Sequence, residues 1–98
     1  MLEIPSLEKM DVPNATVDFG TFMQDGLKYV VFDTSKCSPP EPMVNAMIAL
    51  EMVNNETSAV MINHKSPAGL LDKIENKFQI TKSDLPNGNV MLIFAQKC

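Results

Sequence analysis

A chain of 98 residues with 45% apolar and 20% charged content is long enough to bury one core without disulfide staples. The formal net charge is −4 and all eight basic residues are lysine, so the guanidinium fork that dominates phosphate and guanine recognition is missing. Nucleic-acid binding is therefore not expected, and apolar runs far shorter than a membrane span argue against membrane association.

Residues 1–13 carry Pro5 and Pro13 in a stretch of mixed polarity and read as a loose arm, with residues 6–10 forming at most a short helical turn. Glu3 and Pro5 also stand where a signal peptide needs basic and then apolar residues, which predicts a cytoplasmic protein. Residues 15–24 have a strand pattern, with Val17, Phe19 and Phe22 directed inward and Gly20 as a bulge. Asp25-Gly26 is a two-residue hairpin turn, and residues 27–33, LKYVVFD, form the next strand. Residues 1–26 are thus an arm with an added strand, and residues 27–98 the main domain.

Residues 37–50, CSPPEPMVNAMIAL, organise the rest of the chain. A proline ring crowds the residue before it out of the helical basin, so Ser38, Pro39 and Glu41 should be extended. Pro42 then fits the first helical position, where a missing N–H costs nothing. Met43, Ala46, Met47, Leu50 and Val53 share one face, and Val44, Ile48 and Met52 widen it, which predicts a helix largely covered by protein. Asn54 and Asn55 tolerate the left-handed conformation and should end it.

The run Ala59-Val60-Met61-Ile62 lacks alternation, so the strand over residues 57–63 should be buried on both faces. Ser66 as cap and Pro67 in the first turn open a second helix, with Leu70, Leu71, Ile74 and Phe78 at helical spacing. Residues 79–83 form an edge strand that Lys77 and Lys82 protect from further pairing. Pro86 and Asn87-Gly88 mark a turn, and residues 90–95, VMLIFA, belong in mid-sheet. The fold class is an α/β (α+β) two-layer sandwich. Its order is β-α-β-α-β-β in a mixed sheet, with both helices on one face and an extra N-terminal hairpin strand.

Few chemistries survive inspection. One histidine, His64, and two cysteines, Cys37 and Cys98, cannot assemble a four-ligand zinc site from those types. Neither a nucleophile elbow nor a glycine-rich phosphate loop is present, so no metal, cofactor or catalytic residue is expected. The candidate binding surface is made by Cys37, Pro40, Glu41 and Pro42 with Asn63, His64, Lys65 and Ser66. Both loops follow the C-terminal ends of a parallel strand pair and should be close in space. Pro40-Glu41-Pro42 is otherwise a stiff turn into the helix, and His64 otherwise a solvent-facing turn residue. Cys37 precedes a helix N-terminus and follows Lys36, which favours the thiolate, while Asp33 and Glu41 oppose it; a modest depression of its pKa is the expected balance. Cys98 should be exposed and incidental.

Pro39-Pro40-Glu41-Pro42 ahead of the first helix, in this order of elements, resembles the TusA/SirA-like sulfur-carrier fold. The match is closer to a family of small domains of unassigned function with a PPPEP-type motif. That family's second motif, an asparagine with an Asp-His-Asp-Pro run, is met here only at Asn63 and Pro67 of Asn63-His64-Lys65-Ser66-Pro67. The resemblance covers about residues 27–97. It implies a central last strand and a link to sulfur or redox metabolism. The sulfur carriers' acceptor cysteine aligns with Pro39, and Cys37 lies two residues earlier. The candidate functions are three: a non-enzymatic domain binding a protein partner or small polar ligand, a carrier using Cys37 as a persulfide, or a homodimerising assembly module built on the N-terminal hairpin.

Overall fold

A computed structural model describes residues 2–97. The strong hairpin signal forms as expected. β2 (Phe19–Gln24) and β3 (Leu27–Asp33) pair in regular antiparallel register. Asp25 and Gly26 both take positive φ, +53° and +81°, the combination whose twist matches that of the flanking strands. Phe19 stacks on Phe32 at 4.9 Å on one face of the sheet, and Phe22 on Tyr29 at 4.9 Å on the other.

Beyond the hairpin come α1 (Glu41–Leu50), β4 (Thr57–Asn63), α2 (Ala68–Ile74), β5 (Phe78–Asp84) and β6 (Val90–Gln96). A further strand, β1 (Glu8–Met10), precedes them and pairs with β2. The described residues thus form one six-stranded mixed sheet, ordered β1-β2-β3-β4-β6-β5, in which only the β3–β4 contact between neighbours is parallel. The unalternating strands are central: Ala59, Val60, Met61, Leu92 and Phe94 have no solvent exposure. Ala46, Ala49 and Leu50 of α1 share a core with Leu70 and Ile74 of α2 and with Phe19, Val30, Phe32, Met61 and Phe94 of the sheet, so both helices lie on one face. The fold is the α/β two-layer sandwich expected.

Residues 2–10 depart from the expected loose arm and helical turn. The sheet face without helices exposes a second apolar cluster, Phe22, Val31, Val60 and Met91, and Leu2 and Ile4 pack against it. Residues 2–7 are therefore a strap over that face, running into β1. Gly20 makes no bulge; its register is regular, and its missing side chain is the seat for Leu7, whose Cβ would stand 2.7 Å from a Cβ at residue 20.

Helix α1 differs from the expectation in start, face and end. It begins at Glu41, which is helical rather than extended, with Pro40 at the cap and Pro42 one position further in. Its buried residues are Pro42, Asn45, Ala46, Ala49 and Leu50, while Met43, Val44 and Met47 are exposed. Two alanines let the helix axis approach the sheet closely, which the bulkier methionine arc could not. Asn45 is fully buried in that arc with its side chain saturated. Its Nδ2 donates to Thr16 Oγ1 (2.8 Å) and to the Glu41 carbonyl (2.8 Å), and its Oδ1 accepts from the Thr16 amide (2.9 Å). The helix ends at Leu50 with Glu51 still right-handed, and the Met52 and Val53 amides tighten the last turn by bonding to the carbonyls of Ala49 and Leu50. Asn54 is not left-handed; its Oδ1 instead accepts the Glu56 amide at 2.8 Å and shapes the following turn.

At α2 the cap position belongs to Pro67, and the Ser66 side chain makes no capping bond. Phe78 is the first residue of β5 rather than the last apolar position of the helix, and packs against the helix-side core. Cys98 lies outside the described residues.

Candidate functional site

Strands β3, β4 and β5 run the same way, so the loops that follow them open at one end of the sandwich. The first loop is built from local bonds. The Ser35 amide donates to Asp33 Oδ1 (2.8 Å), the Cys37 amide to the Thr34 carbonyl (3.0 Å), and the Glu41 amide to the Ser38 carbonyl (3.0 Å). Between them the Pro39–Pro40 peptide is cis. In the second loop Asn63 Nδ2 donates to the Lys65 carbonyl (3.0 Å), and the Ala68 amide to the Ser66 carbonyl (3.0 Å).

Thr34 joins the two loops. Its amide donates to the Ile62 carbonyl (2.8 Å), and its hydroxyl stands 3.1 Å from that carbonyl and 3.0 Å from Asn63 Oδ1. A hydroxyl carries one proton, so one of these two contacts is donated at a time. Thr34 and Asn63 are both buried, and every buried side-chain polar atom among the described residues has a hydrogen-bond partner. The pair is a clamp: without the Thr34 hydroxyl the buried Asn63 Oδ1 would be left without its partner, whereas Thr34 could still donate to the Ile62 carbonyl.

Beside the clamp lies a cleft of about 470 Å³ between the lead-in to α1 and the start of α2, with Asn63 in its lining. Pro39, Pro40, Pro42 and Met43 form one wall. Residues 63–70 form the other, with Pro67, Ala68, Gly69 and Leu70 apolar and His64, Lys65 and Ser66 polar. Of the residues expected at the site, Pro40, Pro42, Asn63, His64, Lys65 and Ser66 come together here. Cys37 and Glu41 do not line the cleft, which therefore holds no Cys–His pair. His64 and Lys65 are exposed to solvent while lining the cleft beside its apolar residues.

Cys37 departs from its expected chemistry. Local burial of the thiol raises its pKa, and the carboxylates of Glu41 and Asp33 raise it further. The helix gives little opposing help, because Cys37 lies upstream of its first turn and the Glu41 amide there is already bonded to the Ser38 carbonyl. Lys36 does not reverse the sum.

Sequence reasoning missed Thr34, Met43 and the first turn of α2. Thr34 carried a usable signal, a threonine directly after an apolar strand whose parallel neighbour ends in asparagine. Among the described residues no three histidine, cysteine or acidic side chains gather to hold a metal, and no helix is long and apolar enough to cross a membrane. No protein-family model, characterised protein or solved structure matches the chain.

Proposed function

We propose that this chain is a small non-enzymatic binding domain whose ligand seat is the cleft between residues 39–43 and 63–70. The supporting observation is the cleft's make-up: apolar walls of proline, alanine and leucine, with one ammonium and one imidazole on the same rim. That arrangement fits a ligand with an apolar body and a single anionic end. Burial of the body supplies affinity in rough proportion to its area, and Lys65 supplies orientation. The motif at Pro39-Pro40-Glu41-Pro42 carries the further proposal of a TusA/SirA-like domain. The sulfur-carrier alternative draws no support from Cys37, whose thiol is pushed towards its unreactive form.

The test is an amide NMR titration with hexanoate and phenylacetate, each run beside the alcohol of the same carbon skeleton. The carboxylates should shift Met43, His64, Lys65, Ala68, Gly69 and Leu70, and the alcohols should bind several-fold more weakly. Lys65→Ala should remove the difference between acid and alcohol. Shifts scattered over the surface, or confined to the strap face, would end the assignment of the cleft.

A further inference from the structure

The outer face of α1 carries half-exposed apolar side chains that belong to neither core cluster. Met43, Val44 and Met47 are 37%, 41% and 48% exposed, and their i, i+3 and i, i+4 spacing makes them neighbours on one stripe. Met43 also belongs to the cleft wall, so the stripe continues into the prolines there. Side chains of this kind, flexible and polarisable, are common at surfaces that accept protein partners.

The charges around the stripe select the partner. α1 has Glu41 in its first turn and no basic residue in its last, and Glu51 sits at its C-cap. The carboxylate of Glu51 thus adds to the negative pole of the helix instead of offsetting it. Glu56, also exposed, follows in the turn that leads into β4 at that same end. A second copy of this chain is a poor fit, because two-fold pairing of α1 with itself would set Glu51 against Glu41 or against the other Glu51.

We propose that the outer face of α1 docks a basic amphipathic helix of another protein. The partner's apolar residues, one turn apart, pack on Met43, Val44 and Met47, and its lysines or arginines lie over Glu51 and Glu56. α1 has 10 residues and so spans about 15 Å, which sets the length of partner helix it can engage at about three turns. This reading does not depend on the cleft's ligand.

The test uses two synthetic amphipathic peptides of about 12 residues, with leucines at helical spacing and either lysine or glutamate on the other face. Amide spectra of the full chain should show shifts at Met43, Val44, Met47, Ile48 and Glu51 with the lysine peptide, at several-fold lower concentration than with the glutamate peptide. Glu51→Lys should narrow that gap by about five-fold, the range expected of exposed charge pairs reversed in sign. Met47→Glu should abolish binding of both, and its spectrum reports directly that the domain stays folded. Equal binding of the two peptides would overturn the proposal. So would concentration-dependent self-association that Met47→Glu removes, or binding of neutral phosphatidylcholine vesicles through the same residues in place of the peptide.

Discussion

Replacing Gly20 with alanine separates two opposing effects, and the structure fixes the sign of each. Gly20 has no positive φ, so alanine meets no backbone strain there. Reduced freedom in the unfolded chain should then stabilise the protein by about 0.5–1 kcal/mol. Against this, the new Cβ would stand 2.7 Å from Leu7 Cβ and 2.9 Å from its Cδ1, closer than such atoms approach. Leu7 is 42% exposed, so the easiest relief is for the strap to lift. Full burial of a leucine contributes about 1.5–3 kcal/mol, and Leu7 buries little more than half of its surface; losing its contact costs roughly 1–1.5 kcal/mol. If Leu2 and Ile4, each more buried than Leu7, leave with it, the cost rises to roughly 3–6 kcal/mol. The net expectation is destabilisation, about 0.5 kcal/mol if Leu7 alone lifts and about 2–5 kcal/mol if the whole strap leaves, with a fall in Tm of about 4–8 °C per kcal/mol for a domain of this size. Urea unfolding measures it, first in the natural sequence and then in a Leu7→Gly background. With Leu7 gone no clash remains, and Gly20→Ala should change sign and stabilise. The same destabilisation in both backgrounds would refute the seating of the strap on Gly20.

Other consequences are as direct. Asn45→Leu removes three hydrogen bonds, two to Thr16 in the segment ahead of β2 and one to the Glu41 carbonyl within α1, and should cost about 1–2 kcal/mol in urea unfolding, at the low end for a buried polar loss because exposed Thr16 can turn to water. Thr34→Val should cost about 1–3 kcal/mol and move the His64 and Lys65 amide resonances, since it leaves Asn63 Oδ1 without its loop-to-loop partner. Met47→Asp, a core-breaking change if α1 were covered all round, should cost only about 1–1.5 kcal/mol in thermal unfolding and leave the domain folded, since Met47 is already 48% exposed and the new carboxylate reaches water. Cys37 should alkylate with iodoacetamide more slowly than a free thiol at neutral pH, measured in a Cys98→Ser background. A raised pKa means a smaller thiolate fraction at any pH below it, so the rate should rise only as pH climbs past the ordinary thiol midpoint. A midpoint near neutrality would contradict the desolvation and the two carboxylates as its causes.

Strands β3, β4 and β6 were readable because each is a compact apolar run, and β2 and β5 because turn signals at Asp25-Gly26 and Pro86 to Gly88 bound them, signals that act within a few residues. The meeting of the two loops was readable as well, since parallel strands place their following loops at one end. The inward face of α1 was not. Apolar residues surround that helix on more than one side, and counting them favours methionine, whereas packing selected the arc of Ala46 and Ala49. The strap escaped notice for a related reason. Leu2, Ile4 and Leu7 follow no helical or strand period, and they are held by the shape of a distant surface, including a notch that exists only because residue 20 lacks a side chain. Asn45 and Thr34 are polar residues whose partners lie 29 residues away, beyond any local pattern.

The strap also sets an order of events in folding. Leu2 and Ile4 rest on a cluster that includes Val60 and Met91, so their landing surface is completed only when β6 joins the sheet. The segment is synthesised well before the residues it will cover. The contacts of Leu2 and Ile4 with a cluster that includes Met91 join opposite ends of the chain, and contacts this remote in sequence form late. Until β6 arrives, Phe22, Tyr29 and Val31 stay open to any other apolar surface. The strap is then the last piece to settle, and its arrival removes from solvent the face that an unfinished molecule would use to aggregate.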